Sequence, residues 1–262
     1  MRREDDMGAL DGKTAWVTGA GGGIGEASAR ALAASGARVV LTGRRQAELD
    51  RVAADIEAAG GIAEVAPLDV SDAGACAAAA RSIEAEFGRV DILVANAGVN
   101  VPKRHSGEIS AEDFRMVVDV NLTGVMNCTI PVMAQMRAAG GGLIIMVSSW
   151  AGRHASKITG PAYNASKHGV VALSHSINME EGANGIRSCV IMPGEVNTPI
   201  MEKRPVPPSE AVRARMLQSE DLGRAVQFVA EAPPHVCINE ILISPTWNRT
   251  FLPPELLNEA RG

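Results

Sequence analysis

The front half of the chain alternates two textures. Short runs of β-branched and other apolar residues are followed by Ala-rich stretches whose apolar positions recur at helical spacing. Runs without polar alternation predict strands buried on both faces, and the longer period predicts helices that cover them. Strands are predicted at 14–18, 38–42, 62–67 and 90–95, with helices at 24–34, 46–59 and 72–87 between them. Ser71 is placed to cap the third helix. The second half keeps the rhythm with longer helices. Residues 110–136 are predicted mostly helical and end at Gly140-Gly141-Gly142. A strand at 143–147, a helix at 161–182 with Pro161 in its first turn, and a strand at 186–192 broken by Pro193-Gly194 follow. A helix at 220–230 and a strand at 240–243 complete the pattern. It predicts an α/β fold, a doubly wound parallel sheet of about seven strands with helices on both faces. No linker or repeat divides the chain, so residues 1–262 are expected to form a single domain.

Composition limits how that fold is built and what it meets. Of 262 residues 46% are hydrophobic but only 3% aromatic, so Ala, Val, Leu, Ile and Met must make the core. One residue, Tyr163, supplies all the phenol in the chain. The net charge of −5 argues against nucleic acid and gives no reason to expect a membrane surface as partner. No uninterrupted run reaches the ~18 apolar residues of a membrane span. The opening Met1-Arg2-Arg3-Glu4-Asp5-Asp6 lacks a secretory h-region, so a cytoplasmic location is expected. Cys76, Cys128, Cys189 and Cys237 form no CxxC pair and are expected as free thiols. His105 and His154 have no spaced ligand partners, so no catalytic metal is expected.

Between the first strand and the first helix stands Thr18-Gly19-Ala20-Gly21-Gly22-Gly23-Ile24-Gly25. Such a turn can set backbone N–H groups and a helix N-terminus against a pyrophosphate. A phosphate loop of the Walker type is excluded, because no Gly-Lys-Ser/Thr follows. The plainer reading is a glycine-rich turn that binds nothing. The Gly19, Gly23, Gly25 spacing departs from GxGxxG and resembles the TGxxxGIG signature of the short-chain dehydrogenase/reductase family. Further segments match that family in order: Asn96-Ala97-Gly98, Asn121 within residues 120–124, Ser149, Tyr163 and Lys167 as YxxxK, and Pro193-Gly194-Glu195-Val196-Asn197-Thr198 as PGxxxT. The resemblance covers roughly residues 10–245 and implies a Rossmann-type fold.

It also implies an oxidoreductase that moves hydride between NADP(H) and a carbonyl/alcohol substrate. Tyr163 and Lys167 are four residues apart and share one helix face. A phenol titrates near ~10, and a nearby ammonium is expected to lower that value toward neutrality. A helix-surface Tyr with an incidental Lys is the plainer alternative. Ser149 is the expected partner of the substrate oxygen, with Ser148 as competitor; Ser149-x-x-Gly152 resembles the family's arrangement. The Ser149–Tyr163 interval is about one residue longer than in many relatives, which places an insertion within residues 152–161. Asn121 is implied as the residue whose backbone carbonyl holds a relay water to Lys167; its plainer role is capping or packing.

For the cofactor, the resemblance implies contacts from Gly19, Gly21, Gly22, Gly23, Ile24 and Gly25, from Asn96, Ala97 and Gly98, and from Tyr163 and Lys167. Asp69 with Val70 is implied at the adenine, and Pro193, Gly194, Val196 and Thr198 complete the set. After the second strand stand Arg44 and Arg45, where an NAD-preferring chain would carry an acid. Arginine suits a 2′-phosphate, so NADP(H) is expected over NAD(H). Pocket candidates are Trp150, His154, Glu195, Val196 and the segment Val101-Pro102-Lys103-Arg104-His105. That basic triplet could hold a carboxylate or phosphate, or be a solvated loop. The Pro-rich stretch 201–209, within residues 195–215, reads as a substrate lid or a plain loop. The ending 240–246 resembles reductases of small hydroxy acids. A non-catalytic NADP sensor and a redox-neutral isomerase or dehydratase are the alternative functions. The resemblance finally implies a homotetramer with dimer contacts through residues 119–136 and 161–182.

Overall fold

A computed structural model describes residues 8–204, 207–248 and 251–253. Seven strands form one parallel sheet: β1 (Thr14–Thr18), β2 (Arg38–Thr42), β3 (Ile62–Val65), β4 (Ile92–Ala95), β5 (Gly142–Val147), β6 (Ile186–Pro193) and β7 (Glu240–Ile243). The helices are α1 (Gly23–Ala34), α2 (Gln46–Ala58), α3 (Ala73–Phe87), α4 (Ala111–Val118), α5 (Gly124–Ala138), α6 (Gly160–Glu181), α7 (Glu210–Arg213) and α8 (Ser219–Ala230). The strand order is β3-β2-β1-β4-β5-β6-β7. The winding therefore reverses between β1 and β4, and a crevice opens beyond their carboxyl ends.

Strand periodicity explains the continuous apolar runs. Successive side chains point to opposite faces. Ala15 and Val17 of β1 and Leu143, Ile145 and Val147 of β5 enter one core, against α1, α2 and α8. Trp16, Ile144 and Met146 enter the other, against α3, α5 and α6. Both faces are dry, so no polar alternation survives in the sequence. The buried indole and hydroxyl groups at the first two strands are paired. The Trp16 indole N–H donates to Thr42 Oγ1 at 2.8 Å, and that hydroxyl donates to the Ala66 carbonyl at 2.9 Å.

Three local expectations are corrected. Asp72, not Ser71, caps α3: its carboxylate accepts from the Ala75 N–H at 2.9 Å. Ser71 instead donates its N–H and hydroxyl to Asp69 Oδ1, which fixes the turn one residue earlier. The strand expected at 90–95 starts at Ile92, because Asp91 turns its carboxylate onto the Thr14 N–H. The helix expected at 110–136 is interrupted by a π turn at Asp119–Thr123, where the Gly124 N–H reaches back to the Asp119 carbonyl. Ala111–Ala138 as a whole is long and apolar enough by composition to cross a membrane. Half of its most apolar window is buried inside the fold.

Candidate active site

The crevice is built from the turns that leave β1 and β4. Thr18 ties them together: its hydroxyl accepts from the N–H groups of Asn96 and Ala97 at 3.0 and 3.1 Å. The Asn96 amide donates to the carbonyls of Thr18 and Gly19. Gly19 has φ +67°, and a Cβ there would stand 2.8 Å from the Asn96 amide nitrogen. A Cβ on Gly25 would stand 2.2 Å from the Gly19 carbonyl oxygen. A side chain at Gly19 would push the turn off the β4 exit, and one at Gly25 would push α1 off the turn. The N-cap of α1 is Gly22, which offers no capping side chain, so the helix N-terminus remains open to an anion. Thr198, from the far PGxxxT segment, lies against Gly23 at this same point: a Cβ on Gly23 would be 3.1 Å from its methyl. The cradle therefore suits a pyrophosphate in shape and in donor chemistry.

The other expected cofactor residues gather around it unevenly. Asp69 is held well below the ordinary carboxylate range, chiefly by the Ser71 N–H, with help from Arg44. Arg44 Nη1 lies 3.7 Å from Asp69 Oδ2, so a carboxylate does stand beside the arginine expected to meet phosphate. Loops after β2 and β3 converge here, a pairing that the linear sequence conceals. Arg45 is exposed at the start of α2. Val70 is a core residue whose carbonyl accepts from the Asn127 amide at 2.9 Å. Gly194 donates to the Ile243 carbonyl at 2.7 Å, and Val196 bridges to Leu217, so both are tied to structure as well as to the crevice.

On the substrate side, Ser149 lies close enough to Tyr163 to act on its phenol, and its hydroxyl accepts from the Ala151 N–H at 3.1 Å. Ser148 is committed elsewhere: buried, it donates to the Lys167 carbonyl at 2.7 Å and anchors α6 to the end of β5. These partners hold Ser148 within the fold and leave Ser149 beside Tyr163. Lys167 is 3% exposed, and its ammonium donates to the Val147 carbonyl at 2.8 Å. Nζ stands 5.7 Å from the centre of the Tyr163 ring. Burial brings this lysine down to about 8. Burial pushes the Tyr163 phenol up from its ordinary value, opposed by the Ser149 hydroxyl and the charges of Arg204 and Arg104. The Lys167 ammonium itself turns to the Val147 carbonyl.

Asn121 lies in the π turn with its side chain fully used. Its amide oxygen accepts from the Val99 N–H at 2.7 Å, and its amide nitrogen donates to the Val99 carbonyl and to Ser166 Oγ. The wider turn releases the regular helical pairing around it, a geometry frequent at functional sites. Gly98 lies between: a Cβ there would stand 3.5 Å from both Asn121 Oδ1 and Lys167 Nζ.

Several site residues carried no sequence signal. Asn164 fastens the loop before α6 through Ser156 and Thr159, and so steadies the segment holding Tyr163. Arg204 donates to Glu195 Oε1 at 2.8 Å and lies near enough to Tyr163 to act on its charge. Nothing in a Pro-rich stretch marks one arginine as inward-facing. Trp150 packs on His154 and edge-on against Phe251, with ring centroids 5.1 and 5.7 Å apart. Within 201–209, Pro205 and Val206 lie outside the described residues; Pro199–Lys203 forms a 3-10 turn.

Comparisons agree with this architecture. The family model described as short chain dehydrogenase matches residues 13–207. The chain is similar to a cis-4-hydroxycyclohexanecarboxylate dehydrogenase of Sinomonas cyclohexanicum, 36% identical over 88% of this chain and 94% of that protein. Among solved structures, it is similar to a metagenomic short-chain oxidoreductase in complex with NADP. That match is 34% identical with a TM-score of 0.79, over 92% of this chain and 100% of the other. It is also similar to an alcohol dehydrogenase from Thermococcus sibiricus complexed with 5-hydroxy-NADP, at 28% identity and TM-score 0.81, over 90% and 97%. With this sheet order, this glycine turn and this Ser–Tyr–Lys grouping, the chain belongs to the short-chain dehydrogenase family and is an oxidoreductase.

Proposed function

We propose that the protein is an NADP(H)-dependent dehydrogenase/reductase that interconverts a small alcohol and its carbonyl compound, with Tyr163 as general acid and base. The carrying observation is the buried Lys167 ammonium 5.7 Å from the centre of the Tyr163 ring, one helical turn away, with Ser149 close by at the end of β5. When bound, the nicotinamide supplies or accepts the hydride. In reduction, Tyr163 gives its proton to the carbonyl oxygen, and Ser149 donates a hydrogen bond to that same oxygen as charge grows on it. The proton is restored to Tyr163 from solvent by way of Lys167, which a water on the Asn121 backbone carbonyl would link to bulk water. Oxidation runs the same transfers backward.

NADP(H) preference rests on Arg44 and Arg45 after β2, with no acid in that loop, and on the NADP complexes among the structural relatives. Arg44→Ala should raise the Michaelis constant for NADPH by roughly tenfold or more and that for NADH little. A wild-type enzyme that favours NADH would overturn the preference. Activity itself is tested with a panel of aldehydes, ketones and oxo acids, read by loss of NADPH absorbance; a sensor would consume none. Exposed apolar residues on α5 and α6, Ile130 and Met179, support the homotetramer.

A further inference from the structure

Helix α6 begins without the usual device for fixing a helix start. Its N-cap is Thr159, a residue type that normally turns its hydroxyl onto the free N–H groups of the first turn. No side chain caps α6. The Thr159 hydroxyl donates instead to Asn164 Oδ1 at 2.6 Å. Side chains on a helix lean toward its N-terminus, so the Asn164 amide reaches back over the entry to α6. There its oxygen also accepts from the Ser156 N–H at 3.2 Å, and its nitrogen donates to the Ser156 carbonyl at 2.9 Å. One amide thus clasps both ends of the turn 156–159. The same turn is fastened to the β4 exit, where the buried Asn100 amide donates to the Thr159 carbonyl at 3.0 Å. Gly160, at φ +76°, packs there too: a Cβ on it would stand 2.1 Å from the Arg104 carbonyl oxygen.

Tyr163 is the fourth residue of α6. From Lys167 onward the helix is anchored to β5 by Ser148 and by the Val147 carbonyl. Ser166 holds the Tyr163 carbonyl from behind at 2.9 Å. The N-terminal side of the tyrosine is left to the clasp, and the first turn of an uncapped helix frays readily. Ser149 stands just after β5, and the loop 150–159 joins it to α6. Any slack where that loop meets the helix becomes slack between Ser149 and the phenol. We propose that Asn164 is a positioning residue: its clasp stands in for the missing N-cap and sets the Tyr163 phenol in register with Ser149. This role rests on the reading of Tyr163 as general acid and base for its effect on turnover, but not for its effect on where the phenol sits.

Asn164→Ala and Asn164→Asp are made in the wild-type chain and in Tyr163→Phe. Aspartate keeps the acceptor for Thr159 and for the Ser156 N–H and loses the donor. Rates are read with NADPH and the fastest-reduced compound among cyclohexanone, levulinate and benzaldehyde. Asn164→Ala should lower kcat by about 10- to 100-fold, with KM and NADPH affinity changed by less than about threefold. Asn164→Asp should recover most of the loss. In Tyr163→Phe, Asn164→Ala should cost nothing further, because a residue that acts through the phenol has nothing left to act on. An unchanged kcat, or equal losses in both backgrounds, overturns the role. Tyr163 is the only tyrosine, so ultraviolet difference titration reads its setting without any turnover. Burial holds the phenol above its ordinary value. Loosening the turn in Asn164→Ala should bring the midpoint down toward ~10. A midpoint that stays in place overturns the role whatever the rates. A midpoint that falls in a protein that reduces none of the three compounds keeps the positioning role and sinks the dehydrogenase reading. Should Asn164→Ala fail to fold, Thr159→Val, which deletes the hydroxyl donor, takes its place in every arm.

Discussion

Adjacent serines at the end of β5 illustrate how little separates a structural from a chemical side chain. Ser148 points into the fold and holds α6 by the Lys167 carbonyl; Ser149 lies close enough to Tyr163 to act on its phenol. Ser149→Ala should lower kcat by roughly 10²–10³ with little loss of stability. Ser148→Ala should cost about 1 kcal/mol or more in urea unfolding and spare the chemistry. Reversed results would mean the roles are exchanged. Lys167 adds a pH signature. Folding lowers it from 10.5 to about 8, so the unfolded chain binds more protons between those values. Stability from this group rises with pH across that window and carries its full penalty, about 3 kcal/mol, below it. Any stability advantage of Lys167→Met over wild type should therefore shrink between about pH 8 and 10.5; a constant gap would show the lysine is not desolvated. Motif positions such as Tyr163, Lys167 and Gly19 were legible in the sequence because chemistry fixes their spacing.

At the level of elements, periodicity was legible and boundaries were less so. Seven strands and their order along the chain follow from apolar runs that need both faces covered. Caps depend on single dihedral angles, which is why Ser71 and Asp72 compete in the sequence and only one wins in space. Asp72→Ala should destabilise the protein by about 1 kcal/mol, whereas Ser71→Ala should cost much less. Equal losses would remove the cap assignment. The π turn around Asn121 left no mark in the pattern, since it shifts helical register without changing composition.

On the scale of the molecule, the reversal of strand order between β1 and β4 joins three distant stretches at one crevice: the glycine turn, the β4 exit and the PGxxxT segment. That junction depends on topology and is invisible to local pattern. The outer faces of α5 and α6 retain Ile130 at 57% and Met179 at 79% exposure. A homotetramer would cover them, so Ile130→Glu should yield a smaller species by light scattering, and an unchanged mass would place the contacts elsewhere. The proposed chemistry needs one phenol, and Tyr163 has no second tyrosine to replace it. The most direct measurement is turnover of Tyr163→Phe with NADPH and a substrate ketone, beside NADPH binding followed by fluorescence. The account predicts a loss of roughly 10²–10⁴-fold in kcat with cofactor affinity retained; turnover near the wild-type rate would contradict it.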